Sequence, residues 1–141
     1  MILITGTNID VTQLPRYETM DYQIDNSNMN IKLNIKKSYF NEVYLPYLNN
    51  TERFTVFYGG AGSGKSVFVV QKLILKLLKY PNRTLLVIRK VSASLRDSIY
   101  QEFVTHITKF GLADHCKIMG SSLTIYLPNE SKIIFKGIDD P

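Results

Sequence analysis

Apolar residues recur along this chain with two different periods, and the changes between them mark its elements. Residues 65–79 contain no glycine or proline, and apolar residues from Val67 to Leu78 fall on nearly every side of a helix of that length. A helix apolar on most faces is one buried between layers. Its polar positions include Lys72, Lys76 and Lys79, spaced by four and three, which a helical repeat gathers into one stripe. Residues 53–58 on one side are β-branched and aromatic (Phe54, Thr55, Val56, Phe57, Tyr58) and read as a short strand. Residues 83–89 on the other side hold the apolar run Leu85, Leu86, Val87 and Ile88, the pattern of a central parallel strand covered on both faces. Joined through the 65–79 helix, the two strands predict a right-handed βαβ unit.

Further along, Ser92 or Ser94 is placed to cap a helix running to about Phe110, with Gly111 closing it. Residues 117–119, 123–127 and 132–135 read as strands, and the last two flank the turn-forming Pro128, Asn129, Glu130 and Ser131, which predicts a β-hairpin. Upstream, Tyr39, Phe40, Val43, Tyr44, Tyr47 and Leu48 have the spacing of an amphipathic helix over 35–48, broken near Pro46. Residues 1–28 show no sustained period and read as a mobile amino-terminal extension, with a short strand pair at most. The organisation expected is that extension followed by one domain over 29–141.

The segment between the first predicted strand and helix carries the chemistry. Gly59, Gly60, Ala61, Gly62, Ser63, Gly64, Lys65 and Ser66 match the phosphate-cradling pattern G-x-x-x-x-G-K-[S/T] in full. Glycines let the backbone enter φ > 0 and approach a ligand closely. Successive N–H groups then form an anion nest, to which the following helix adds the positive end of its dipole. Lys65 is the residue to reach the β- and γ-phosphates of ATP, and the Ser66 hydroxyl the one to join a Mg²⁺ shell. Strand, glycine loop and helix is the context this motif requires, whereas a Gly/Ser linker has no reason to sit in it.

Composition changes this picture only at the margins. A chain of 141 residues with 45% hydrophobic content suits a single globular domain. The net charge of +5 is uneven: residues 1–28 hold Arg16 against Asp10, Glu18, Asp21 and Asp25, a net −3, which leaves +8 for the remainder. That excess suits a polyanion such as DNA, although a lysine stripe such as 72, 76 and 79 is in the ordinary case a solvated helix face. No stretch approaches the roughly 18 apolar residues of a membrane span, and the start at Met1, Ile2 and Leu3 lacks a signal peptide's basic flank. Cys116 is the chain's one cysteine, with no partner for an internal disulfide, which fits a reducing cytoplasm. His106 and His115 have no second ligand at metal spacing.

A nucleotide hydrolase also needs a hydrophobic strand ending in an acidic residue that holds Mg²⁺. Here Ile133, Ile134 and Phe135 lead to Asp139 and Asp140, but Lys136 and Gly137 interrupt the run and the strand is the return arm of a hairpin. The plainer reading is a polar turn before Pro141, and a chain that stops there is expected to be the truncated front half of a nucleotide-hydrolysing domain.

Four segments together resemble the amino-terminal part of the ATPase domain of phage terminase large subunits, in the branch related to the PBSX-type prophage. They are Phe40, Asn41, Glu42, Val43 and Tyr44; residues 53–66 with the doubled Gly59 and Gly60; Val87, Ile88, Arg89 and Lys90 with Leu95, Arg96, Asp97, Ser98, Ile99 and Tyr100; and residues 135–141. The resemblance covers 29–141 and implies an α/β fold, a P-loop NTPase (ASCE/RecA-like) with a parallel-sheet core, here truncated and ending in a β-hairpin. It implies an ATP- and Mg²⁺-dependent motor that drives double-stranded DNA into a procapsid, with a portal protein and a small terminase subunit as partners. A homo-oligomeric ring in the full-length form, a place in the host cytoplasm and at the procapsid portal, and no membrane follow from it as well. In that family the acidic strand and a nuclease domain lie downstream. Carried over by position, Gly59, Gly62 and Gly64 match the loop, Lys65 the phosphate lysine and Ser66 the Mg²⁺ hydroxyl. Arg89 and Arg96 fall in the segment of closest resemblance after the loop; a transition-state arginine suits this chemistry, and structural ion pairs or N–H bonds to backbone are the competing roles for both. Two other readings stay open: a small P-loop kinase, against which stands Val67 where a second hydroxyl is common, and a non-catalytic nucleotide- or DNA-binding fragment.

Overall fold

The computed structural model describes residues 2–5, 20–23, 30–60 and 62–139. Within the stretch read as an extension, β1 (Ile2–Thr5) pairs in parallel with β2 (Met20–Gln23). β2 in turn pairs antiparallel with β3 (Asn30–Leu33), and the rest of residues 1–28 lies outside the described residues. A second sheet contains β4 (Thr84–Arg89), β5 (Lys117–Met119), β6 (Thr124–Tyr126) and β7 (Lys132–Gly137) in the order β4-β7-β6-β5. Two α-helices accompany it, α1 (Lys65–Lys79) and α2 (Ile99–Lys109).

The second sheet is mixed, where the sequence pattern predicted a parallel core. β4 and β7 run parallel, whereas β5–β6 and β6–β7 are antiparallel. The cause is local: the tight turn at 128–131 makes β6 and β7 a hairpin, as expected, and the return arm then lies against β4. Among the described residues β4 is an edge strand rather than a central one, with Leu86 and Ile88 more than half exposed.

Residues 53–58, expected as the strand before the glycine loop, form none, and Phe54, Val56 and Tyr58 are largely exposed. Both departures share one physical reason. A strand exists through its ladder of hydrogen bonds, and among the described residues neither 53–58 nor the outer edge of β4 has a strand beside it. Near one end of the gap, a cavity of about 490 Å³ is bounded by Thr51, by Thr84 and Leu85 of β4, and by Leu73 and Leu77 of α1. The predicted βαβ unit is therefore not closed, and the parallel partner of β4 is β7.

The helix expected over 35–48 is two 3-10 helices, Lys37–Tyr39 and Glu42–Tyr47. Extended backbone at Phe40 and Asn41 separates them, and Pro46 within the second has no N–H for an α-helical bond. α2 begins later than either candidate cap allows. Ser92–Ser94 is a separate 3-10 helix, and the Ser94 hydroxyl donates to the Val91 carbonyl rather than capping α2. Gly111 ends α2 at φ +84, as its position promised.

One core joins these parts. Phe68, Ile74 and Leu78 of α1, Phe103 and Ile107 of α2, Ile125 and Ile133 of the second sheet and Ile31 and Leu33 of β3 are each at most 1% exposed. Burying each such side chain contributes about 1.5–3 kcal/mol. Phe135 meets Tyr100 and Phe103 edge-on, which fixes α2 against the sheet. The Asn34 N–H donates to the Phe110 carbonyl at 2.7 Å and ties the first sheet to the end of α2. Among the described residues, no helix is long and apolar enough to cross a membrane.

Candidate nucleotide-binding site

The glycine loop has the backbone its sequence called for. Gly62 and Gly64 sit in the left-handed region at φ +80 and +79, and Gly64 is the residue that opens α1. The loop thereby turns back on itself, with the Ser63 N–H donating to the Gly60 carbonyl at 3.3 Å. The first N–H groups of a helix have no intrahelical partners, so the start of α1 presents donors at the loop. Lys65 bends over them, its Nζ donating to the carbonyls of Gly59 at 3.0 Å and Gly60 at 3.4 Å. Ser66 stands exposed beside it on the first turn. Ala61 lies outside the described residues.

Two observations indicate that the loop is built for an anion. The Ser63 hydroxyl oxygen is enclosed with no hydrogen-bond partner among the described residues, and a Cβ on Gly59 would lie 3.2 Å from it. The donor set is N–H groups, one ammonium and two hydroxyls, with no carboxylate in residues 59–66. Such a set fits a polyphosphate and repels nothing in it. A nucleotide phosphate tail and, at Ser66, its Mg²⁺ are therefore groups that these residues can hold.

An upstream segment braces the loop, which sequence reading did not find. The Tyr44 hydroxyl donates to the Ser63 carbonyl at 3.0 Å, and its ring stacks on Phe68 of α1 at 5.1 Å and meets Phe57 edge-on. Gln71 donates to the Tyr39 carbonyl at 2.8 Å and Lys72 to the Tyr47 carbonyl at 2.8 Å, so α1 is fastened to both 3-10 helices. The aromatic spacing of 39–48 was the signal for packing, but nothing in it names the loop as the surface packed against.

The open side of the loop faces α2. A cavity of about 190 Å³ lies among Phe57, Lys65, Ser66, Val69 and Ile99. A larger one of about 750 Å³ shares Ser66 and Ile99 with it and reaches Arg89, Asp97, Ser98, Gln101, Glu102 and Thr105. Gln101 and Thr105 are spaced by four on α2, which puts them on one helical face, and Asp97 lies in the turn before it.

The two candidate arginines separate. Arg89, the last residue of β4, lines the same cavity as Ser66, and its Nη1 donates to the Ser98 hydroxyl, which donates in turn to the Ser94 carbonyl. Arg96 points elsewhere: its Nη1 donates to the Gly120 carbonyl at 2.6 Å, beyond β5, and it is not among the residues lining that cavity. Asp139 accepts from the Ser92 N–H at 2.8 Å, and the Ser92 backbone and side-chain hydrogen bonds hold its carboxyl below the ordinary value. It thus fastens the end of β7 to the loop after β4. Asp140 lies outside the described residues.

His106 is buried in α2 beside Glu102, 3.4 Å away, and His115 ends a short 3-10 helix. No cluster of metal-ligating side chains occurs among the described residues.

Comparison with known proteins places this loop in a lineage. The sequence model of the phage terminase large subunit family matches residues 51–141. A relative named PBSX phage terminase large subunit, from Bacillus subtilis (strain 168), is 41% identical over 100 residues, covering 71% of this chain and 22% of the relative. A second, named terminase, large subunit, from Bacillus phage SPP1, is 34% identical over 86 residues, covering 60% of this chain and 20% of the relative. The chain thus spans about a fifth of the length of each. No solved structure matches it.

Proposed function

The chain belongs to the phage terminase large subunit family, and we propose that it is the ATP-binding part of a viral DNA-packaging motor that couples ATP hydrolysis to translocation of double-stranded DNA into a procapsid. The observation that carries this reading is the loop at 59–66: two glycines at positive φ, an enclosed unpartnered Ser63 hydroxyl, and Lys65 arched over the opening. In this reading the loop N–H groups and Lys65 hold the β- and γ-phosphates, and Ser66 holds Mg²⁺. Bound MgATP supplies the phosphoryl bond whose hydrolysis drives translocation. Arg89 is the better placed of the two arginines to stabilise transferred charge, because it shares a cavity with Ser66 while Arg96 is bonded to Gly120.

The acidic strand of this reading has a natural seat. Among the described residues the outer edge of β4 is open and 53–58 is unpaired, and a cavity beside α1 is bounded by Thr51, Thr84 and Leu85. We place there one further strand from the part of the relatives' length that this chain does not span. With it, 53–58 and β4 become members of a RecA-like parallel core. By family membership we also assign the portal protein and small terminase subunit as partners, a homo-oligomeric ring as the working form, and the host cytoplasm and procapsid portal as the place of action.

Titration of a fluorescent ATP analogue with Mg²⁺ tests the loop directly. We expect saturable binding by the 141-residue chain, weakened at least about tenfold in Lys65→Ala, with negligible turnover because the water-positioning acid lies on the further strand. Equal binding by the variant overturns the reading.

A further inference from the structure

Along the carboxyl-terminal half of α1, three ammonium groups share one shallow groove. Lys72, Lys76 and Lys79 form one wall, and Asn49, Asn50 and Thr51 the other, with Leu75 as the floor. The groove holds about 50 Å³, room for a small anionic group rather than for a base. No acidic residue lines it, and among the described residues none of the three lysines makes an ion pair with a carboxylate. Lys72 is held in place by the Tyr47 carbonyl at 2.8 Å. Its pKa is lowered, first by burial and second by the adjacent Lys76 charge.

We propose that this groove is a phosphate-backbone contact for duplex DNA. The geometry suits a strand of phosphates: seven residues of helix from Lys72 to Lys79 rise about 10 Å, the axial length of about three phosphates of one strand. Asparagine and threonine side chains opposite the lysines are the uncharged donors that commonly accompany such contacts. Along α1 the groove begins about 10 Å from Lys65, at Lys72, and ends about 21 Å from it, at Lys79, so DNA and nucleotide can be held at the same time. Lysines near a helix carboxyl end also complement its dipole, but that role needs no opposing polar wall. DNA as the partner rests on the motor reading above.

The test is fluorescence anisotropy of a labelled short duplex bound by the 141-residue chain over a salt series. We expect Lys76→Ala with Lys79→Ala to weaken binding and to flatten the slope of log K against log salt by about 0.9 per lysine. Lys76→Arg with Lys79→Arg should keep the slope, and Lys117→Ala with Lys132→Ala, an equal charge loss on β5 and β7, should leave it unchanged. An unchanged slope in the Lys76/Lys79 double alanine variant overturns the proposal, as does an equal flattening by Lys117→Ala with Lys132→Ala. Lys65→Ala separates the two claims. If it loses ATP but keeps the DNA slope, both sites stand; if it keeps ATP while the groove variants lose DNA, the loop reading fails alone. If Lys65→Ala flattens the DNA slope and the groove variants do not, the phosphates bind at the loop and the groove proposal fails.

Discussion

The Tyr44 hydroxyl donates to the Ser63 carbonyl at 3.0 Å, joining residues 19 apart and holding the inner turn of the glycine loop from behind. Its ring, stacked on Phe68, packs against the helix that the loop opens. The loop is thus fixed by an element that makes no contact expected with a ligand. Tyr44→Phe keeps the ring contacts and removes the hydroxyl, a loss of about 0.5–1.5 kcal/mol. If the loop must be held before it binds, that loss reappears as a fall of up to about tenfold in ATP affinity. Calorimetric or fluorescence titration of both proteins, with thermal midpoints alongside, checks it. Unchanged affinity would mean the loop holds its shape without Tyr44.

Gly137 is required by the closeness of two chain segments rather than by its own φ. A Cβ there would lie 2.4 Å from the Cβ and 2.6 Å from the Cα of Ser92. This is the point where Asp139 accepts from the Ser92 N–H, next to the end of β4 that carries Arg89. Gly137→Ala should therefore destabilise the fold by about 1–3 kcal/mol, as overpacking does, and should displace Arg89 from the cleft. Denaturant unfolding measures the first effect. A loss of nucleotide affinity greater than that of Gly120→Ala, where an added Cβ meets nothing nearer than 3.8 Å, measures the second.

How much of this was legible in the sequence depends on whether a feature is made locally. The left-handed Gly62 and Gly64, α1, the hairpin around 128–131 and the Gly111 helix end are set by residues within a few positions, and their conformations match what the sequence predicts. Residues 53–58 have strand composition, but composition supplies no hydrogen-bond partner, and the edge of β4 they would approach is open. The pairing of β4 with β7 brings together Leu86 and Ile134, far apart in sequence and alike in type to many other residues. The aromatic spacing over 39–48 pointed to packing, yet extended backbone at Phe40 and Asn41 splits the segment into two 3-10 helices, and Tyr44 of the second meets the loop. Arg89 and Arg96 were indistinguishable by neighbourhood; only the fold sends one to the cleft and the other to Gly120.

His106 predicts how stability changes below neutral pH. Its pKa is lowered, first by burial, with Glu102 opposing the shift and Lys109 adding to it. Its Nδ1 is enclosed without a partner among the described residues. The folded state therefore favours neutral imidazole. In the unfolded chain the group takes up its proton near the ordinary 6.5, so the stability tied to it is complete above that value and is lost as pH falls from there through the folded pKa. Thermal midpoints should decline over that window in the native protein and decline less in His106→Gln. Parallel curves for the two proteins would assign the decline to other groups.

Asn129 closes the far end of the helix that Gly64 opens. Its Nδ2 donates to the Leu77 carbonyl at 2.7 Å, while its Oδ1 accepts from the Ser131 N–H at 3.2 Å, and the side chain is buried. The last carbonyls of a helix have no intrahelical donors, and here the hairpin turn between β6 and β7 supplies one from its own tip. Ser131 adds a second link, its hydroxyl donating to the Tyr80 carbonyl at 3.2 Å. Asn129→Ala removes the shorter of two donors to the buried Leu77 carbonyl, leaving the Ser131 hydroxyl at 3.4 Å, and should lower unfolding stability by about 0.5–1.5 kcal/mol. Ser131→Ala should lower it as well, because the buried hydroxyl also accepts from the Arg83 N–H at 3.1 Å and reaches the Leu77 carbonyl at 3.4 Å. Since α1 carries Lys65 at its other end, nucleotide affinity should survive Asn129→Ala in the fraction that remains folded. Urea unfolding with and without saturating ATP separates the two: a ligand-induced gain equal to that of the native protein leaves the turn a purely structural clasp, and a smaller gain shows that the clasp reaches the loop.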